Sequence, residues 1–321
     1  MAARLLSMPQ RHPPQLKVDP VLNQGLPITA GPFFMHWQTT RFQIDLNRPR
    51  VMGIINVTPD SFSDGGLRGS AAHAIAHCER LVGEGADILD IGGESSRPGA
   101  ISLGIDEEWA RIAPVLAVAT TLGVPISVDT CKPAVMARAL DAGVDIINDI
   151  HALQADGALQ AIAPYPHAGL CLMHMRGSSV TMAGLTNYRD LLGEVADFLA
   201  ERAGVLRQAG VASNRIVLDP GYGFAKTTEQ NFALLAQQSS LQNLGYPLLA
   251  GWSRKRALGD VTGRPVGQRL ASSLAAAMVA LSNGASIVRV HDVAPTVDAV
   301  KVWLAACGTI IANKKLEGSA Q

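Results

Sequence analysis

The sequence predicts an α/β chain folded as one (β/α)8 TIM barrel, a single domain with an N-terminal extension. Three observations carry this. At 321 residues the chain has room for such a barrel with trimmings. Its composition, 48% hydrophobic and 17% charged, supplies a large core and argues against wholesale disorder. From Arg50 onward, short runs rich in Val, Ile and Leu end in polar or glycine-rich residues, and a helical stretch follows each of them.

Residues 1–40 read as the extension. Pro9, Pro13, Pro14, Pro20, Pro27 and Pro32 interrupt them, and no apolar period is sustained. Arg4, Arg11 and Lys17 precede the first acid, Asp19, as in an organelle transit peptide, but Pro13-Pro14 would break the amphipathic helix such a peptide needs. Leu5-Leu6 is too short for a secretory core, so an extended or partly mobile arm is expected. The barrel should occupy 41–308 and a frayed tail 309–321.

The expected strands are Val51–Asn56, Asp87–Ile91, Pro125–Asp129, Asp145–Asn148, Gly169–Met173, Arg215–Asp219, Pro247–Gly251 and Ser286–Val290. Most lack strict alternation, as parallel strands covered on both faces should. Among the helices, Ser70 is placed to cap a stretch in which Ile75, Cys78 and Val82 share a face, ended by Gly83 and Gly85. Pro133 suits a first turn before Val135, Met136, Ala139 and Leu140, with Gly143 as the stop. Leu270, Leu274, Ala277, Met278 and Leu281 form one stripe of the seventh helix, and 292–306 gives the eighth. A doubly wound sheet could use the same units, but no G-x-G-x-x-G opens a helix after a first strand.

Composition removes several function classes. The 27 Lys+Arg balance 27 Asp+Glu, so there is no electrostatic footprint for nucleic acid. The least polar stretch, from Leu270 to Leu281, is too short to span a bilayer. Cys78, Cys131, Cys171 and Cys307 are scattered without metal-finger spacing, which points to a reducing, cytoplasmic setting.

In such barrels the chemistry sits at the C-terminal ends of the strands. Here those ends supply Asn56, Glu94, Asp129, Asn148, Met173, His174, Asp219, Lys255, Arg289 and His291. Arg289 and His291 stand two apart and project to one side; with Ser253, Arg254 and Lys255 they follow the last two strands, where barrels often bind phosphate. Asp129 and Asp219 each end a strongly apolar run, where a carboxylate must meet donors; for Asp129 a helix cap or an Arg partner would also suffice. The segments from Thr58 to Gly69 and from Gly92 to Gly104 are long for βα connections and read as covers. His73 and His77 lack the glutamate of a zinc helix, Cys131 lacks a His base, and 221–226 reads as a tight turn without a P-loop ending.

Several segments are more specific: Asn56-Val57-Thr58-Pro59-Asp60-Ser61-Phe62-Ser63-Asp64-Gly65-Gly66, Gly92-Gly93-Glu94-Ser95-Ser96-Arg97-Pro98-Gly99, Val128-Asp129-Thr130 and Ile147-Asn148-Asp149, then Asp219-Pro220-Gly221-Tyr222-Gly223-Phe224, Ser253-Arg254-Lys255 and Arg289-Val290-His291-Asp292. With them, from about Phe42 to Leu304, the chain resembles the dihydropteroate synthases, pterin-binding TIM-barrel enzymes of folate biosynthesis. The resemblance implies a transferase that joins 6-hydroxymethyl-7,8-dihydropterin pyrophosphate to para-aminobenzoate, giving 7,8-dihydropteroate and pyrophosphate, assisted by Mg2+. It implies a pterin site of Asp129, Asn148, Met173, Asp219 and Lys255. Pyrophosphate would meet Arg289, His291 and Asn56, the last also the metal ligand, and aminobenzoate would meet Ser96, Arg97, Phe224 and Lys255. Asn56, Arg97, Lys255, Arg289 and His291 would carry the catalysis. A homodimer, small-molecule substrates and competition by sulfonamides are further implications.

The chemistry of the side chains is compatible with these roles. A pterin edge presents a ring N–H beside an exocyclic amine, two parallel donors that one carboxylate accepts. Asn56 is a neutral oxygen ligand suited to Mg2+ that takes its charge partners from phosphates. Loss of the diphosphate is expected to precede attack by the arylamine. Three positions depart from the family pattern: Ser96 stands for a common Thr, Ala225 for a common Gly, and Arg256 for a frequent Ser. Competing readings are a barrel that passes a methyl group from a reduced folate to a corrinoid protein, a noncatalytic pterin-binding module, and an aldolase using Lys255 as a Schiff base.

Overall fold

The computed structural model describes residues 36–57, 66–95, 99–100 and 102–307. A two-stranded antiparallel hairpin comes first, β1 (His36–Gln38) and β2 (Gln43–Asp45). Eight parallel strands then close a barrel: β3 (Arg50–Asn56), β4 (Ile88–Gly92), β5 (Ile126–Asp129), β6 (Ile146–Asp149), β7 (Gly169–Met173), β8 (Ile216–Asp219), β9 (Leu248–Ala250) and β10 (Ala285–Val290), with β10 pairing back onto β3. Their bounds fall within a residue of the apolar runs read from sequence. Helices follow the strands: α1 (Gly66–Gly83), α2 (Ile105–Ala119), α3 (Pro133–Asp141), α4 (Ala158–Ile162), α5 (Leu191–Gln208), α6 (Thr228–Ala236), α7 (Arg256–Thr262), α8 (Leu270–Ser282) and α9 (Val293–Ala306).

Two helices differ from their expected form. α1 begins at Gly66, so Ser70 lies inside it rather than capping it, and the first cover is shorter than expected. In α8 the buried face is Ser273, Ala276, Ala277, Ala280 and Leu281, whereas Leu270 is 42% exposed. Small residues let this helix lie close to the barrel wall, so the buried face is displaced from the expected stripe but keeps its Ala277 and Leu281, and Met278 packs against the core from the edge. Pro133 and Gly143 act as read, with Val135, Met136, Ala139 and Leu140 buried between them.

The floor of the barrel explains why the hairpin is there. Trp37 is fully buried with Met52, Ile88, Ile146, Cys171, Val217, Leu249 and Ile287 in one apolar plug, and its indole N–H donates to the Arg215 carbonyl at 2.9 Å. The boundary set at residue 40 falls inside this hairpin. At Gly169 a Cβ would stand 3.1 Å from Trp37 Nε1, Thr39 Cγ2 and Ile146 Cγ1, a tight fit that a side chain could take only if these neighbours gave way slightly. Arg41 grips buried Asp145 with its Nε at 3.0 Å and an Nη at 2.6 Å, clamping the hairpin to β6. With its floor sealed, the cylinder opens at the C-terminal ends of the strands. No helix among the described residues is long and apolar enough to cross a membrane.

Candidate active site

Side-chain alternation along a strand places residues two apart on the same side. Two residues above the floor, the interior turns polar: Ile88 gives way to Asp90, Ile146 to Asn148, Val217 to Asp219 and Ile287 to Arg289. Arg289 is the hub. Its Nε donates to Asp90 Oδ2 at 2.6 Å and its Nη2 to Asp129 Oδ2 at 2.8 Å. Asn148 Nδ2 reaches the same Asp90 oxygen at 3.2 Å. Burial opposes the Arg289 charge, but Asp90 and Asp129 more than offset this and hold its pKa above the ordinary value. Burial pushes the Asp129 carboxyl up, against the pull of Arg289. The Arg partner that sequence left open for Asp129 is therefore Arg289, itself a predicted site residue.

Sequence reasoning missed Asp90, which is fully buried with Oδ1 lacking a partner among the described residues. It had read as part of the second apolar run. The usable signal was its place two residues before Gly92, on the same strand face as the barrel mouth.

Asp219 ends β8, buried, with Oδ1 accepting the Gly221 amide at 2.7 Å. Burial raises its pKa, while that amide, Lys255, Arg289 and Lys226 pull it back. Asp219 and Arg289 thus share one electrostatic environment. The turn that follows is tight: Gly221 has φ +71°, and a Cβ there would sit 1.9 Å from the His174 carbonyl oxygen. Lys226 folds back and donates to the carbonyls of Gly221 (2.9 Å) and Phe224 (3.1 Å) and to His174 Nδ1 (3.0 Å). Burial lowers Lys226 to about 7 and His174 to about 2. His174 is therefore a neutral buried acceptor that braces the turn. Ala225, where a glycine is common, adopts φ +48°.

Phe224 packs in a small apolar cluster with Met173, Met175, Met182 and Ala225, and the Lys255 ammonium lies 4.2 Å from its ring centroid. The mouth thus pairs an acidic, hydrogen-bonding edge with an apolar wall, an arrangement that suits a flat heterocycle. On the β10 side, burial and then Arg289 depress His291 to about 3. Asn56 ends β3, half-buried, with no side-chain hydrogen bond among the described residues.

Glu94 anchors the second cover. Its Oε2 accepts the Leu103 amide at 2.9 Å and an ion pair from Lys132, which also reaches Glu108 at 2.5 Å. Ser96 and Arg97 lie outside the described residues, as does most of the first cover.

Comparisons with known proteins identify the family and match the fold. A family model described as "Pterin binding enzyme" matches residues 52–291. The dihydropteroate synthase of Neisseria meningitidis serogroup B is 50% identical over 273 residues, 83% of this chain and 96% of that protein. Xanthomonas albilineans dihydropteroate synthase with 4-aminobenzoic acid superposes with TM-score 0.78 at 49% identity, over 82% of this chain and 95% of the other. Burkholderia cenocepacia dihydropteroate synthase complexed with 7,8-dihydropteroate does so with TM-score 0.78 at 47% identity, over 86% and 98%.

Proposed function

The chain belongs to the dihydropteroate synthase family of pterin-binding enzymes, and from that premise we propose how its own residues run the reaction. It is a transferase of folate biosynthesis that condenses 6-hydroxymethyl-7,8-dihydropterin pyrophosphate with para-aminobenzoate, giving 7,8-dihydropteroate and pyrophosphate. The observation that carries the residue assignments is the chain of contacts from Asn148 through Asp90 and Arg289 to Asp129. It ties the groups proposed to grip the ring to the cation proposed to meet the diphosphate.

Asp219 accepts the two parallel donors of the pterin edge through lone pairs that Gly221 leaves open. Asn148, with its Nδ2 turned to Asp90, offers its carbonyl oxygen to a ring N–H. Asp129 completes the acidic edge, Lys255 donates to the ring carbonyl or a ring nitrogen, and Met173 lies against the face. Phe224 and Lys255 border the aminobenzoate, joined by Ser96 and Arg97.

Among the described residues no three His, Cys, Asp or Glu side chains form a metal cage. Asn56 offers one neutral hard oxygen, and that donor fits Mg2+ that keeps waters and takes most of its ligands from a diphosphate. Asn56 would hold the ion, which when bound would neutralise charge on the leaving diphosphate.

The C–O bond breaks early, and its electron pair leaves with the diphosphate, which Arg289 and His291 hold. The dihydropterin ring spreads the resulting positive charge. The arylamine, already neutral near pH 7, attacks through its lone pair and sheds a proton to solvent, so no strong general base is required. Incubation with the pterin pyrophosphate, aminobenzoate and Mg2+ should yield dihydropteroate. Single-turnover mixtures lacking aminobenzoate should still release pyrophosphate, and release that strictly requires aminobenzoate would contradict the early departure.

The same reading extends to assembly and setting. An exposed apolar groove between α6, α7 and α8, lined by Phe232, Leu235, Leu258, Val261, Ala276 and Val279, supports a homodimer. Sedimentation should return twice the chain mass. The four free cysteines fit a reducing compartment, the cytoplasm. Sulfonamides compete with aminobenzoate in this reading.

A further inference from the structure

Ser253 and His291 come from neighbouring strand ends, the first just past β9 and the second just past β10. Their two turns are zipped together. The His291 main-chain N–H donates to Ser253 Oγ at 3.1 Å, and His291 Nδ1 lies 3.0 Å from the same oxygen. One residue further along, Arg254 grips Asp292 with Nε at 3.0 Å and Nη2 at 2.6 Å. The position of Ser253 is thus fixed from both sides.

Counting protons at this oxygen decides the state of the ring. Ser253 is 7% exposed, and its Oγ already receives one N–H. Were the ring proton on Nδ1, it too would donate to Oγ. The hydroxyl hydrogen would then have no acceptor among the described residues, which is costly at a buried site. With Nδ1 bare, the hydroxyl donates to it and every group is matched.

We infer that Ser253 is a positioning residue that fixes His291 in its Nε2–H tautomer, so that the ring presents a neutral N–H donor to the diphosphate. The inference rests on the reading that His291 handles the leaving group. The surroundings keep the ring neutral: burial, Arg289, Arg254 and Lys255 outweigh Asp292 and disfavour a second proton. Labour is then divided. Arg289 supplies the fixed positive charge, and His291 supplies a directional hydrogen bond aimed by a hydroxyl on the adjoining turn.

Protein labelled with 15N-histidine tests this, with the His291 signals assigned by their loss in His291→Gln. In the free enzyme near pH 7, His291 Nδ1 should resonate as an unprotonated, pyridine-type nitrogen and Nε2 as a protonated one. Ser253→Ala should mix the two tautomers and weaken binding of inorganic pyrophosphate about three- to tenfold, the effect of one hydrogen bond. Ser253→Thr, which keeps the hydroxyl, should restore both readouts. A protonated Nδ1 in the parent protein, or a tautomer unchanged in Ser253→Ala, would overturn the inference even if pyrophosphate shifts the His291 signals. The stated tautomer with His291 signals that pyrophosphate leaves unmoved would instead overturn the placement of His291 at the leaving group.

Discussion

The floor and the mouth of the barrel interior are built on the same strands, from positions only two residues apart, yet they are opposite in chemistry. Met52, Ile88, Ile146, Val217 and Ile287 close on Trp37 as a dry plug. One pleat higher, Asp90, Asn148, Asp219 and Arg289 form a polar layer held by ion pairs and hydrogen bonds. The backbone is continuous across both, so side chains alone decide which layer is apolar and which is polar. The lower layer can be packed for stability because nothing there must open to a ligand. The upper layer buries charge, which seldom favours stability over an apolar filling and is better explained by what it binds.

If that division holds, substitutions in the two layers should separate cleanly. The largest effect is expected from Asp219→Asn. The amide keeps an oxygen for the Gly221 N–H but presents its own NH2 to one pterin donor. Two charge-assisted bonds are at stake, about 3–6 kcal/mol together, so turnover should fall by roughly 10²–10⁴ with the unfolding midpoint little changed. Ile88→Ala, in the floor, should do the reverse. Denaturant titration should show a loss of about 2–5 kcal/mol, while KM for either substrate stays within about twofold of the parent value.

An effect of acid should come next. Free histidine titrates near pH 6.5, whereas His174 in the folded chain is held down to about 2 by burial. Only the unfolded chain then takes up this proton as pH falls below 6.5, so stability is complete above that value and declines toward pH 2. At pH 5 the loss from His174 is up to about 2 kcal/mol, and His291, lowered to about 3, acts with the same sign. Asp129 and Asp149, raised by burial to about 7 and about 6, act with the opposite sign in this range, so the test is a difference: from pH 7.5 to 5 the urea midpoint of the parent should drop relative to that of His174→Gln. The smallest expected effect is a gain. Ala225→Gly relieves a left-handed residue and should add about 1 kcal/mol, raising the melting temperature without altering the pterin site.

Arg289 crosses the comparison. Its loss leaves fully buried Asp90 and part-buried Asp129 without their cation, so Arg289→Ala should disturb the ring site as well as the diphosphate. That dependence was not legible from sequence. Asp219 stood out because an acid ending an apolar strand is conspicuous, and Arg289 with His291 stood out by their two-residue spacing. Asp90 did not, because within Ile88-Leu89-Asp90-Ile91 its flanking residues outweigh one charge. The β-strands read correctly because parallel strands are apolar on both faces. The buried face of α8 was only partly legible: Ala277 and Leu281 are buried as expected, but hydrophobicity favours Leu270 whereas close approach to the wall favours Ala276 and Ala280. At Lys226 sequence revealed a tight turn but not the ammonium that closes it.

The most direct measurement is calorimetric titration of the parent protein, Asp219→Asn and His291→Gln with two ligands, the dihydropterin alcohol and its pyrophosphate ester. If one bound molecule spans the acidic edge and the cationic corner, Asp219→Asn weakens both ligands by the same factor, and His291→Gln weakens the pyrophosphate ester alone. Undiminished binding of the ester by Asp219→Asn would show that ring and diphosphate do not share this site.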